Sequence, residues 1–394
     1  MLARSSHVPP VRAAPLFSGP FARLTIVNFF FFLSFASFFL LPLYVKALGG
    51  TEATVGWVMG TGGAATLLTL PLVAMWIDRS GRRRFLLLGT LGMAVASVGY
   101  LRVDAVGPAL FAMRVLQGAS FAAAFTATTA FAAGFAPQHR RAQALGIFGL
   151  SVLLTHAIAP VAGEEIIRRF GFHALFGVTI AWSVLALLVA MRLPAGRVAV
   201  SAATRRAWQF DRVQWVVAAT MVLSGMGFGS VMTFTPTFIS SEALGRVGVF
   251  FAAYTATAIL TRVGGGGLSD SIGRHAVIVP SLLVLAGAIL TMALVRSVPG
   301  LVCAGALFGS AQGISYPTLH AYLVDVTAEA HLGQAQALFN GSFNLGVTSS
   351  AFVFGPIAEH FGYRPMFAVA SLMPVMACLL FALCGIASAP RSRN

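Results

Sequence analysis

The sequence predicts an all-α membrane protein, with twelve transmembrane helices arranged as two pseudo-symmetric six-helix bundles. Three observations predict it. The chain is too apolar to be soluble, its landmarks occur twice at a nearly constant offset, and its basic residues collect on alternate loops.

Of the 394 residues, 58% are hydrophobic and only 9% charged, and the mean hydropathy is +0.86. A soluble protein needs far more charge to cover its surface. Apolar runs such as Ile26–Val45, Phe85–Leu101 and Trp215–Met232 suit a bilayer, which takes about 20 helical residues to cross. Spans are expected near 22–46, 53–77, 85–102, 107–134, 142–167, 172–192, 213–240, 246–268, 275–295, 300–325, 335–358 and 365–387. They divide the chain into a tail (1–21), a bundle (22–192), a polar linker (193–212), a second bundle (213–387) and a short end (388–394). Met1–Pro20 has no apolar centre or evident cleavage site, so it reads as a solvent-facing tail. Cys303, Cys378 and Cys384 fall in apolar stretches and read as packing residues.

The duplication is direct. Asp78-Arg79-Ser80-Gly81-Arg82 returns as Asp270-Ser271-Ile272-Gly273-Arg274, 192 positions later. Gln117-Gly118 returns as Gln312-Gly313, Ala142-Gln143-Ala144-Leu145 as Ala335-Gln336-Ala337-Leu338, and Phe170-Gly171-Phe172 as Phe361-Gly362-Tyr363. Parallel repeats in a membrane chain commonly build a transporter whose substrate site lies between the halves.

The formal net charge is +15, yet its placement argues against a nucleic-acid partner. With both ends cytoplasmic, 18 of the 26 Lys and Arg fall on the inner side and 7 on the outer, leaving Arg114 within the membrane. That is the positive-inside bias. The basicity therefore records orientation, and anionic lipid is partner enough.

Span one carries Asn28 and then a phenylalanine run, Phe29 to Phe32, followed by Phe35, Phe38 and Phe39. Span seven carries Met221, Met226, Phe228 and Met232. Such side chains suit an apolar ligand if they face a cavity, or lipid if they do not. Gly225, Gly227, Gly229 and Gly264–Gly267 permit close helix approach, which drives association in lipid. Thr235-Pro236 and Tyr316-Pro317 are expected to kink their helices.

Between spans two and three stands Ala74-x-x-x-Asp78-Arg79-x-Gly81-Arg82-Arg83, and Arg262-x-x-x-Gly266-x-x-x-Asp270-x-x-Gly273-Arg274 occupies the matching place in the second half. With twelve spans and the duplication, the chain resembles the major facilitator superfamily from about Phe21 to Ala387. The resemblance implies that Asp78 helps to latch the inner ends of the bundles, with Arg79 and Arg82 as partners. Arg262, Gly266, Asp270, Gly273 and Arg274 would be the second copy of that latch. The family's leading glycine is Ala74 here.

Arg114-Val115-Leu116-Gln117-Gly118 in span four resembles the arginine signature of the superfamily's drug:proton antiporters, where the arginine is linked to proton coupling. A guanidinium inside a span is costly and is usually kept for function, although a structural hub for loose carbonyls is the competing reading. Its second-half counterpart is Gly309. In span five, Ala159-Pro160 and Gly163-Glu164 stand where the antiporter signature has Gly-Pro and further glycines, and Pro160 and Gly163 are expected to bend the outer half.

The acidic residues number 11, and most sit at span ends. Glu164 lies near the depth of Arg114, so an Arg114–Glu164 pair opened by protonation is expected; the alternative is an interfacial carboxylate balanced by Arg168 and Arg169. His156 at mid-span and His320 in span ten are either proton carriers or histidines bonded within the bundle. Neither has a metal-binding companion.

The expectations are then proton coupling through Arg114, Gln117, His156 and Glu164, and a cavity or gate at Asn28, Pro160, Gly163, Met226, Tyr316 and His320. The chain lacks a phosphate-binding loop and any enzyme signature, so no cofactor is expected and a proton gradient supplies the energy. The expected function is export of a small, partly apolar compound by a monomer in a bacterial cytoplasmic membrane. Proton-coupled import of a sugar or other small metabolite is the alternative, and a non-transporting sensor a more remote one.

Overall fold

A computed structural model of the chain describes residues 19–135, 141–194, 210–265 and 267–384, with the backbone alone at Asp78, Ala133, 141–145 and Ala330. The tails, the centre of the linker, Gly266 and the Asp78 side chain, all named above, lie outside the described residues.

Twelve helices follow one another: α1 (Gly19–Ala47), α2 (Glu52–Ser80), α3 (Arg82–Tyr100), α4 (Pro108–Phe135), α5 (141–170), α6 (172–190), α7 (Arg212–Ser241), α8 (Val247–Gly264), α9 (Arg274–Leu294), α10 (Val298–Asp325), α11 (Leu332–Phe361) and α12 (Tyr363–Cys384). A five-residue helix, Leu268–Ile272, leads from α8 to α9. Local signals set the ends. Thr51 Oγ1 accepts from the Thr54 amide and Ser297 Oγ from the Gly300 amide, satisfying donors that the first helical turn leaves free.

The turns repeat with the sequence. Gly81 and Gly273 have φ of 89° and 94°, and Gly171 and Gly362 have 79° and 86°. A side chain is strained in that left-handed region, so each pair marks the same sharp reversal in both halves. Only the break at Gly171 separates α5 from α6. Pro160, Pro236 and Pro317 lie inside continuous helices rather than at breaks.

Packing is doubled too. In the first half α1 lies on α5, α2 on α4 and α3 on α4; in the second α7 lies on α11, α8 on α10 and α9 on α10. Close approach relies on missing side chains. A Cβ on Gly118 would stand 2.1 Å from the Gly62 carbonyl oxygen, and one on Gly346 2.0 Å from that of Val222. The bundles then meet along two equivalent seams, α2 with α11 and α5 with α8. By length and hydropathy nine of the described helical stretches suit a membrane, with 146–190 counted once. Helices α3 and α11 fall outside that set, and α11 is the helix that carries Asn340, Ser342, Asn344 and Thr348.

Candidate functional site

The two faces of the molecule differ. One carries the loops at Gly81 and Gly273 and is termed the basic face; the other carries the turns at Gly171 and Gly362 and is termed the far face. On the basic face Arg82 Nη1 donates to the Ala130 carbonyl at 2.9 Å, tying the first loop to the end of α4. In the second loop Arg274 pairs with Asp270 at 2.5 Å and with Asp325 at 3.0 Å, and donates to Ser269 Oγ. Arg262 does not join this group. It stands in the last turn of α8, and the chain leaves that helix at Gly265, before the short helix that carries Asp270.

Every hydrogen bond between described residues that joins the two bundles lies on the far face. Glu164, on α5, accepts from the Val247 amide at 2.8 Å through Oε1 and from the Gly248 amide at 2.7 Å through Oε2. Glu359, on α11, accepts from the Ala53 amide at 3.0 Å. The residue numbers differ by 195, the offset of the repeat. Each bundle thus extends one carboxylate onto the N-terminus of a helix in the other, where free amides and the helix dipole favour negative charge. Hydrogen bonds from Thr51 and from the Ala53 amide hold the Glu359 carboxyl below the ordinary range. Tyr363 adds a bond to Glu52 at 3.3 Å, and Glu165 pairs with Arg168, Arg169 and, across the seam, Arg246.

The expected Arg114–Glu164 pair therefore does not form. Arg114 turns toward its own bundle: Nη1 donates to Gln117 Oε1 at 2.6 Å, Nε to the Val58 carbonyl at 3.2 Å and Nη2 to the Met59 carbonyl at 3.3 Å. Tyr100 donates to the same Gln117 oxygen. At 7% exposure the guanidinium is a buried hub, neutralised by carbonyl dipoles. The counterpart position repeats the geometry without the charge. A Cβ on Gly309 would stand 2.1 Å from the carbonyl oxygen of Tyr254, 195 residues beyond Met59.

His156 lies at the α5–α8 seam, 5.1 Å from the Phe39 ring and 6.4 Å from that of Tyr254, with Nδ1 buried and unpartnered. Phe39 also stacks on Phe251 at 5.6 Å, so aromatic rings cross from one bundle to the other. Tyr316 donates to Asn340 Oδ1 at 3.0 Å. Asn28 donates to Ser151 within the first bundle. His320 rests against Phe339, on the side of the second bundle's own core. Gly163 faces Leu40 and Leu175, and half-buried Met226 packs on the core. The arrangement thus gathers His156 and the aromatic seam, leaves His320 and Asn28 to internal roles, and adds Glu359, Tyr254 and Asn340. Among the described residues no group of His, Cys, Asp and Glu could hold a metal.

This architecture defines a membrane transporter with two facing bundles. The chain belongs to the Major Facilitator Superfamily, whose sequence profile matches residues 24–245 and 217–394. It is 24% identical over 381 residues to the staphylopine export protein of Staphylococcus aureus, covering 92% of this chain and 95% of that one. It is 23% identical over 363 residues to the multi-drug resistance efflux pump PmrA of Streptococcus pneumoniae, covering 86% and 89%. Its fold matches the crystal structure of a nucleoside transporter, a NupG variant, with a TM-score of 0.79 at 14% identity over 93% of this chain and 99% of that one. The protein is a transporter rather than an enzyme.

Proposed function

We propose that the protein exports a small, partly apolar compound by alternating access, driven by a proton gradient. The observation that carries this reading is the one-sided closure. The hydrogen bonds that join the bundles between described residues gather on the far face. The positive-inside bias supports placing the basic face in the cytoplasm, so the closed end would face outward. Export by the staphylopine and multidrug relatives supports the direction. In this reading His156 and the far-face carboxylates are the groups that exchange protons, while Arg114 fixes α4 against α2.

Proton-coupled import of a small metabolite is the second reading. It is favoured by Ala159-Pro160 and Gly163-Glu164, which depart from the exporter signature. Counterflow in proteoliposomes separates the two. Export predicts that substrate accumulates against a proton flux of opposite direction; accumulation with the proton flux establishes import, and no exchange at all sinks the transport cycle described here.

A further inference from the structure

Among the described residues Arg262 is a cation without a counter-ion. It lies in the last turn of α8, with Nε buried and unbonded, and none of the ion pairs or hydrogen bonds between described residues engages its guanidinium. The side chain crosses toward the opposite bundle: a Cβ on Gly149 of α5 would stand 4.0 Å from Nη1. Its charge reaches His156 on α5, Tyr254 on α8 and Tyr316 on α10. No ion pair between described residues brings a carboxylate to Arg262. None of the eleven acidic residues stands in the middle third of α1 to α12, and the nearest in sequence, Asp270 in the short Leu268–Ile272 helix, is engaged by Arg274.

Arg262 is half-buried, and a charge drawn partly out of water without a partner is costly and is usually retained where it has work. Arg114 shows how this fold neutralises a cation permanently, by aiming carbonyls at it. Between described residues Arg262 has no such arrangement. Nor does the fold itself require it, since the matching stretch of α2 is Leu67-Leu68-Thr69-Leu70. Along α8, roughly 12 Å toward the far face by helix rise, Tyr254, His156, Phe39 and Phe251 offer an aromatic wall. A planar guanidinium suits a carboxylate or another oxyanion, and stacked rings suit an apolar body.

We propose that the transported compound is an amphipathic organic anion, that Arg262 receives its anionic group, and that its apolar part lies toward His156 and Tyr254. This rests on the reading of the space between the bundles as the transport route. It separates the protein from carriers of lipophilic cations, for which a buried carboxylate is the complementary group.

The test uses purified full-length protein and three near-isosteric probes: naphthalene-1-acetate, naphthalene-1-acetamide and 2-(1-naphthyl)ethylammonium. Thermal stabilisation is followed against concentration. The acetate is expected to act at tenfold lower concentration than the amide or the ammonium. Arg262→Gln should bring the acetate to the level of the amide, and Arg262→Lys should keep part of the preference. The proposal is overturned if the acetate gives no stabilisation, if the ammonium matches it, or if Arg262→Gln keeps the preference. Should Arg262→Gln fail to fold, the charge series on the native chain and on Arg262→Lys decides by the same criteria. Counterflow of the acetate reports separately on transport. A preference without exchange supports this assignment and removes the transport reading; exchange without a preference does the opposite.

Discussion

Glu164 and Glu359 hold their places through backbone amides rather than through basic side chains, and that choice sets what a substitution does. Glutamine at either position keeps the shape and one acceptor oxygen but loses the charge that the helix N-terminus attracts. Glu164→Gln is expected to weaken far-face closure by roughly 1–2 kcal/mol, a five- to thirty-fold shift toward the open form. Spin-label distances between the far ends of α5 and α8 measure it; an unchanged distribution removes the carboxylate from the gate. Arg114→Met, by contrast, should lower stability by roughly 2–3 kcal/mol, because Gln117 and two carbonyls lose a charged partner. Full thermal stability in that variant, together with lost transport, contradicts the hub and restores a direct coupling role.

At the scale of the element, the seams depend on absent side chains. A Cβ on Gly56 of α2 would stand 2.2 Å from the Ala351 carbonyl oxygen of α11, and one on Gly355 3.1 Å from the Gly56 Cα. Gly56→Leu is therefore expected to hold α2 away from α11, raising the labelling of a far-face cysteine and slowing exchange at least several-fold. Equal labelling in the variant and the native protein means that this contact does not limit closure. Helix positions, turn glycines and the doubled packing were legible in the residues, because hydropathy and a repeat offset report on local structure and symmetry. Glu359 was legible by the same offset once Glu164 had been singled out. The partner of Glu164 was not, since its depth in the bilayer matches Arg114 while its direction around α5 depends on how the bundles dock. The direction of Arg262 was hidden for a related reason: it precedes a recognisable loop in sequence, but its guanidinium is carried on the last turn of α8 toward Gly149 of α5.

For the whole molecule, the balance between closed and open far ends carries a pH dependence whose sign can be worked out. The Glu359 carboxyl is held below its ordinary range by bonds that exist only while the far face is closed. Its contribution to closure is complete above the ordinary carboxylate range and is lost as the pH falls through the lowered value. Far-face accessibility should stay flat from pH 8 to about 5 and rise only below about 4. A rise centred near pH 6–7 assigns the switch to a histidine instead.

Because Glu164 and the N-terminus of α2 both belong to the first half, that half owns a key and a lock of the same kind. The second half owns the matching set in Glu359 and the N-terminus of α8. Two identical half-length chains related by a twofold axis would therefore offer each other both clasps, the self-complementary arrangement of an isologous dimer. Fusion of such a pair needs no new gate. It frees each copy to diverge alone, and the lone guanidinium of Arg114, opposite the bare Gly309, records that freedom.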